Sequence, residues 1–412
     1  MPVKQSLNTS HYRQRALALF VVTCAATLPL QVMGQGWTFE PVLRVGAESD
    51  DNAQMAFRTD EEIKLEGFLA DLAATVKYES RRDQFEIEPR VLIRNYSDEP
   101  EFDSDDLFFR SLYQHQLQNS DYGFALFFDR QQVRTAERAD TDLDAEDIDE
   151  ITDDDSGRVG LMGERNRWRL LPNFSHQFSP KSSIDANLAY YNVRYDDVVS
   201  GFLTDFDDLR LDLAYRYAYT ETTTGILLGS GRDYETKDDL LPRKLNGYGA
   251  QVGFERALSD TTTVRALIGM ESTDLTNQDR VNEVVGELVL RRQLQTIRLL
   301  ARYQRLVNAS GAGRLSIRDS LSLNATRNLN ERMSAGLGLR AYQDDPLGVS
   351  NAVEQRQYVQ VRARFTWYLA TSFSTELDYR YTVLDRGDLI GEGANSNQIN
   401  IWFSYHPYSD AR

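Results

Sequence analysis

The feature that most constrains this chain is a period of two in its hydrophobic residues, which recurs in segments of about ten residues from Trp37 onward. In the clearest segment, Leu209 to Tyr219, leucine or tyrosine occupies every odd position, while Arg210 and Asp212 lie between them. Successive side chains of a strand point to opposite faces. Each such segment therefore predicts a strand with one apolar and one polar face.

Polar connections of two kinds separate these segments, and short and long ones alternate. The short connections are predicted near residues 79–83, 118–121, 179–182, 221–223, 259–261, 293–295, 327–331 and 370–372. The long ones are predicted near residues 48–66, 97–106, 134–164, 196–206, 233–246, 272–281, 307–314, 344–356 and 384–396. Eight short and nine long connections imply about eighteen strands, with sixteen as the alternative count.

An all-β fold with this rhythm is typical of a transmembrane antiparallel up-and-down β-barrel with short periplasmic turns and long extracellular loops. The apolar face is then expected to meet lipid, and the polar face to line an aqueous lumen, which barrels of this size contain. The alternative is a soluble barrel or sandwich with the apolar face inward. One repeated pattern over roughly 380 residues, without a domain break, favours the membrane barrel.

Whole-chain averages suggest a different protein, because the net charge of −17 and mean hydropathy of −0.50 are typical of an acidic soluble chain. After residue 34 there is no apolar run of the ~18–20 residues that a spanning helix needs. The 21 tyrosines and 19 phenylalanines, with only 10 prolines, favour strands. The chain has no Lys/Arg-rich run, so nucleic acid is not an expected partner.

The first 34 residues are predicted to be a secretory signal peptide, which leaves a barrel domain over residues 35–412. Lys4, Arg13 and Arg15 precede an apolar run from residue 16 to residue 30, and cleavage is expected near Gly34. An anchoring helix is the alternative, but the run is short. Cys24, the one cysteine, lies in this run, so the exported chain would have no disulfide, thiolate nucleophile or cysteine metal ligand.

The polar face of the predicted strands is rich in arginine, whose planar guanidinium suits bidentate contact with carboxylates. The arginines assigned to the lumen and the solute path are Arg44, Arg90, Arg94, Arg110, Arg167, Arg169, Arg210, Arg216, Arg298, Arg302, Arg318, Arg340, Arg362, Arg364 and Arg380. One interpretation is that they select an anionic solute or polymer, as in anion pores. The other is that they pair with acids on neighbouring strands and brace the wall.

The negative charge is concentrated in the predicted loops, above all in the connection near residues 134–164. Its acidic run includes Asp140, Asp142, Asp144, Glu146, Asp147 and Asp149. The run imitates the start of a calcium loop but has Ala145 and Ile151 where a glycine and a bidentate glutamate are needed. We therefore expect no dedicated metal site, but a solvated loop that gathers cations weakly or acts as a plug or gate.

Catalysis has little support in this sequence. His115, His176 and His406 fall on different predicted strands without metal-ligand spacing. Gly229-Ser230-Gly231 lacks the spacing of a nucleophile elbow, and no phosphate-binding or dinucleotide glycine motif occurs. We expect neither an enzyme nor a cofactor.

Four stretches carry a resemblance that spans most of the predicted barrel. They are Trp37-Thr-Phe-Glu-Pro41, Arg165-Asn-Arg-Trp168 with Pro172, Tyr191-Asn-Val-Arg-Tyr195-Asp-Asp197 and Ile399-Asn-Ile-Trp-Phe403-Ser-Tyr405. In these the chain resembles the type 2 β-barrel porin family of Gram-negative bacteria that accompanies exopolysaccharide gene clusters. The resemblance implies an outer-membrane barrel through which a secreted polysaccharide crosses, delivered by a periplasmic polysaccharide-export or biosynthesis machinery.

Three functions remain open from the sequence. The first is an outer-membrane conduit for an exopolysaccharide, expected to be anionic. The second is a diffusion porin, general or anion-preferring, for small solutes. The third is a structural or adhesive surface barrel. In each case the expected surroundings are outer-membrane lipid and lipopolysaccharide.

Overall fold

The computed structural model describes residues 36–138, 143, 155–156, 158–198, 203–237, 243–275, 280–347, 355–386 and 393–407. Its strands are β1 Trp37–Asp50, β2 Leu65–Glu79, β3 Asp83–Tyr96, β4 Ser104–Gln116, β5 Ser120–Gln132, β6 Glu164–Ser179, β7 Ser182–Asp196, β8 Phe206–Ala218, β9 Thr223–Thr236, β10 Lys244–Ser259, β11 Thr262–Asp274, β12 Val281–Gln293, β13 Ile297–Ser310, β14 Arg314–Asn330, β15 Met333–Pro346, β16 Arg356–Ala370, β17 Phe373–Arg386 and β18 Gly393–Tyr405. The helical elements are α1 Val133–Ala136 and two 3₁₀ turns, Thr59–Glu61 and Pro100–Phe102.

These eighteen strands form one antiparallel sheet that closes on itself. Each strand pairs with its neighbours in the chain, and β1 also pairs with β18 in a register that joins Val45 to Phe403. Closure leaves no free sheet edge. The all-β barrel prediction is therefore confirmed, and eighteen strands rather than sixteen is the correct count.

The period of two separates the two faces of the wall. On β8, Leu209, Leu211 and Leu213 are 41%, 42% and 46% exposed on the outside of the barrel. The residues between them point inward, which is the arrangement expected of a barrel with lipid outside and a polar lumen. The alternative of a soluble barrel with its apolar face inward is wrong for this chain. Among the described residues, no helix is long and apolar enough to cross a membrane.

The connections also follow the predicted rhythm, with one exception. Short turns, such as residues 80–82 and 371–372, lie at the rim that also carries both ends of the barrel. This is termed the short-turn rim, and the opposite one the long-connection rim. The predicted long loop at 307–314 is wrong, because β13 continues to Ser310 and β14 begins at Arg314. Asn308 and Ser310 looked like loop residues, but their polar side chains are buried in a hairpin.

That hairpin folds into the barrel. The pairing of β13 with β12 ends at Arg305 and Gly286, whereas β13 stays paired with β14 up to Ser310. Beyond Arg305, backbone oxygens of β13 accept hydrogen bonds from β9 instead: Val307 O from Arg232 Nη1 at 2.7 Å and Ser310 O from the Tyr234 hydroxyl at 3.4 Å. Residues 306–318 are termed the inner hairpin.

Apolar packing holds the inner hairpin in place. A buried cluster joins hairpin residues to the inner wall, with the members Val133, Val193, Tyr195, Leu203, Phe206, Tyr234, Leu245, Val307, Ala309, Leu315, Ile317 and Leu347. A second cluster at the same rim joins the connection from β1 to β2 with strands β15 to β18, and includes Met55, Val159 and Tyr358. The long-connection end of the lumen is thus packed like a protein core. The predicted signal peptide, residues 1–34, lies outside the described residues.

Candidate functional site

All fifteen arginines assigned to the lumen lie on the inward face of the wall. Most contact a carboxylate on the same or a neighbouring strand. These pairs join Arg94 to Asp106, Arg167 to Asp129, Arg210 to Asp208, Arg216 to Asp185, Arg302 to Glu287, Arg362 and Arg380 to Asp378, and Arg364 to Glu376. Arg110, Arg169 and Arg298 share the face, and the Arg169 guanidinium lies 4.4 Å from the ring centroid of Phe127.

Asp71 on β2 shows how such a cluster is built. Arg90 of β3 binds it with two parallel bonds, Nε to Oδ1 at 2.8 Å and Nη2 to Oδ2 at 2.9 Å. Arg44 of β1 approaches the same carboxylate at 3.7 Å and Glu376 of β17 at 3.3 Å. The Arg44 guanidinium also lies over Trp402, 4.5 Å from the ring centroid. Four strands are therefore joined by one charged network, which supports the bracing interpretation.

In some of these pairs the arginine is clearly more exposed to the lumen than the carboxylate, whereas Arg302 and Glu287 are about equally exposed. The Arg90 side chain is 35% exposed, and the Asp71 carboxylate below it 3%. Arg210 is 30% exposed above Asp208 at 2%. The carboxylates lie close to the wall backbone, and the longer arginines extend over them. At these two positions the guanidinium, rather than the carboxylate, faces the lumen.

Arg318 and Arg340 are among the buried members of this set, and both contact a connection. They bind Asp155, which belongs to the connection between β5 and β6, with Nη-to-Oδ2 distances of 3.3 and 3.2 Å. Arg318 also binds Asp344 of β15 with two bonds, at 2.7 and 2.6 Å. These two arginines fix a loop to the wall rather than face open solvent.

The connection between β5 and β6, residues 133–163, contacts opposite walls of the lumen through its described residues. It starts at β5 and returns to β6, yet Asp155 binds β14 and β15. In a closed ring of 18 strands, β14 is nine strands from β5 in either direction, which is the opposite wall. Leu143 lies beside Gly336 of β15 and is buried. The connection is termed the crossing loop.

The near end of the crossing loop is anchored through Glu137, whose side chain is fully buried. Its Oε1 accepts hydrogen bonds from Arg165 Nη1 and from the Tyr195 hydroxyl, both at 2.9 Å. Its Oε2 accepts from the backbone N–H of Ser156 at 2.7 Å, which ties the two ends of the loop together. The carboxylate thus satisfies groups on β6, on β7 and within the loop itself.

Two further arginines of the crossing loop contact the wall. Arg138 donates to Asp50 of β1 at 3.3 Å and to the backbone oxygen of Ala53 at 3.2 Å. Arg134 donates to the Tyr96 hydroxyl at 3.1 Å, and that hydroxyl donates to Glu48 at 2.6 Å. The loop therefore contacts the wall at several places around the ring.

The acidic residues predicted to form a gate or weak cation site, Asp140, Asp142, Asp144, Glu146, Asp147 and Asp149, lie outside the described residues. Within the part of the chain that the structure describes, no group of three or more His, Cys, Asp or Glu side chains is arranged to hold a metal ion.

Sequence reasoning missed the residues that hold the crossing loop. Glu137 and Asp155 are two acids in a long acidic run, and only their burial distinguishes them from the rest. Arg165 and Tyr195 occur in the stretches that carry the family resemblance, but neither was assigned a role. Arg232 donates a hydrogen bond to the inner hairpin, but in the sequence it occupies an ordinary inward position of the alternating pattern.

No protein-family model matches this chain, and no curated protein is significantly similar to it. Among solved structures, OccAB4 of Acinetobacter baumannii is 10% identical with a TM-score of 0.45, over 92% of this chain and 99% of that one. OccK2 (OpdF) of Pseudomonas aeruginosa is 11% identical with a TM-score of 0.46, over 90% and 98%. A structure of OccK2 in complex with glucuronate is 9% identical with a TM-score of 0.45, over 90% and 97%.

Proposed function

We propose that this chain is an outer-membrane channel of a Gram-negative bacterium through which small solutes diffuse, with anionic solutes preferred. The observation that carries the proposal is a layering at several places on the lumen wall, where partly exposed arginines such as Arg90 and Arg210 cover buried carboxylates. A guanidinium presents several N–H donors in a plane and suits carboxylate and phosphate groups. Rings of such donors favour anions in pores.

The layering matters because each of these arginines has an acidic partner close by. A passing anion comes within a few ångströms of the guanidinium, while the carboxylate is one side-chain length further away. Since Coulomb energy falls with distance, the nearer charge dominates. Arg380 over Asp378 repeats the arrangement on β17, where the side chains are 20% and 1% exposed.

The expected orientation follows from the two rims. Outer-membrane barrels place their short turns and both termini in the periplasm and their long connections outside the cell. The predicted signal peptide is consistent with export to that membrane. Lipopolysaccharide would then surround the long-connection rim.

Export of an exopolysaccharide, which the family resemblance implies, is the second candidate. The crossing loop supports the small-solute function over it, because a polymer would have to displace a loop anchored on opposite walls through Glu137 and Asp155. Deleting the gene and finding unchanged surface polysaccharide would count against export. Export would also need a periplasmic partner that delivers the polymer, which a diffusion channel does not need.

Ion selectivity in planar bilayers tests the main proposal. We expect the wild-type protein to give a reversal potential of anion-selective sign in a KCl gradient. Replacing Arg90 and Arg210 by glutamine should shift it toward cations, because two exposed guanidiniums are lost above carboxylates that remain. Arg58→Gln is the matched control, since Arg58 lies in an exposed loop and pairs with Asp60 and Glu61. Cation selectivity of the wild-type protein would contradict the proposal.

The gate hypothesis has its own test. Deleting residues 137–155 removes both anchors of the crossing loop and should raise single-channel conductance severalfold, because the lumen is no longer crossed. Unchanged conductance of the deletion variant would show that the loop does not limit the pore.

A further inference from the structure

A groove lies on the outer surface of the barrel near the short-turn rim, on strands β8 to β10. Its volume is ≈ 630 Å³, and Tyr215, Tyr217, Leu227, Val252 and Phe254 are among the residues that line it. These side chains are 38% to 59% exposed, so the groove opens on the apolar outside of the wall.

Gly225 is one of the residues that line this groove. The register aligns Tyr217, Gly225 and Phe254 across the three strands, so a side chain is missing between two aromatic rings. The ring of Tyr219 bends over the gap, and a Cβ atom at Gly225 would lie 2.5 Å from it. Aromatic rings therefore flank a groove that is open to the outside of the barrel.

Arg256 lies at the end of the groove nearest the rim and is exposed. Within the described ranges it has neither a carboxylate nor a hydrogen-bond partner. Three outward arginines at the long-connection end, in contrast, do have carboxylate partners. Arg130 pairs with Glu164, Arg280 with Asp274 and Arg305 with Asp319. An unpaired cation beside an apolar groove is complementary to a ligand with an anionic head and an apolar tail.

We propose that this groove binds one glycerophospholipid from the membrane leaflet at the short-turn rim. Its phosphate contacts Arg256, and an acyl chain packs on Leu227, Val252 and Phe254. Aromatic residues at this height are typical of membrane interfaces, and basic residues near the surface bind lipid headgroups. The proposal rests on the barrel lying in a membrane, and it is independent of which solute the lumen carries.

Native mass spectrometry of the full-length protein, released from detergent after addition of phosphatidylglycerol, tests this site. We expect one tightly retained lipid on the wild-type protein. Arg256→Gln should weaken retention about tenfold, the equivalent of one lost charge-assisted hydrogen bond. Gly225→Leu should push against the Tyr219 ring, close the groove and abolish retention.

Two matched controls separate the groove from its surroundings. Arg292→Gln removes another exposed arginine at the same rim, on β12, and Gly231→Leu adds a side chain on β9 where nothing lies within 4 Å. Both variants should retain the lipid. Equal retention by the wild type and Arg256→Gln, no retained lipid, or displacement by lipopolysaccharide but not by phospholipid would each overturn the proposal.

Discussion

The two halves of the lumen use the same residue types in opposite ways. Near the middle of the wall, arginines cover carboxylates and remain exposed, as Arg90 does above Asp71. At the long-connection end, Arg318 and Arg165 are buried beneath the crossing loop and bind Asp155 and Glu137. The same type of ion pair therefore lies open to the lumen in one half and holds the crossing loop against the wall in the other. What differs is whether a second layer of chain covers the pair.

The largest expected effect comes from removing a charge in the covered half. Glu137→Ala should lower the free energy of unfolding by about 3–5 kcal/mol, because it leaves buried donors without their acceptor. The midpoint of guanidinium unfolding in detergent micelles, followed by circular dichroism, measures this. Glu164→Ala is the control, since its carboxylate is 41% exposed and its pair with Arg130 should contribute only ~0–1 kcal/mol. Equal effects of the two variants would contradict the distinction.

A substitution in the apolar packing of the inner hairpin should lower the free energy of unfolding almost as much. Ile317→Ala, in the inner hairpin, should cost about 3 kcal/mol, because it leaves a cavity in a packed cluster. The same unfolding experiment measures it. Ile268→Ala on the outside of the wall, where the side chain is 63% exposed, is the comparison and should cost clearly less. A larger loss for the outer position would mean that the hairpin is not packed as a core.

Removing Asp155, which binds the crossing loop to β14 and β15, should lower the free energy of unfolding less. Asp155→Ala is expected to cost about 1–3 kcal/mol, since Arg318 keeps both bonds to Asp344. Amide hydrogen exchange should become faster at residues 155–163 and stay unchanged at residues 133–136, beside the Glu137 anchor. Faster exchange at both ends would show that the two anchors act as one.

The smallest effect on stability, with a change in selectivity instead, is expected in the exposed half. Asp71→Asn leaves Arg90 without its carboxylate partner, while Arg44 keeps Glu376. We expect the anion-to-cation permeability ratio to rise about two- to fivefold, because one charge at ~4 Å in water is worth ~1 kcal/mol. Reversal potentials in a salt gradient measure this. A fall in the ratio would mean that the covered carboxylates do not oppose the arginines.

Residue alternation alone determined the barrel. A strand has a period of two whatever surrounds it, so Leu209 to Tyr219 predicted a two-faced strand, and the rhythm of connections predicted about eighteen strands. The inward position of the arginines followed from the same rule. Local sequence was also sufficient for the short turns, which the structure places within a few residues of the predicted positions.

Only the tertiary structure decided where the chain fills its own lumen. Asn308 and Ser310 are polar, so they read as a loop, yet they form a hairpin that packs against β9. Glu137 and Asp155 look like the other acids of their loop, but their partners on the wall, Arg165 and Arg318, are 28 and 163 residues away in the chain. Contacts across a barrel join strands that are distant in sequence. A periodic pattern therefore predicts which face of the wall a residue occupies, but it does not predict which distant segment covers that face.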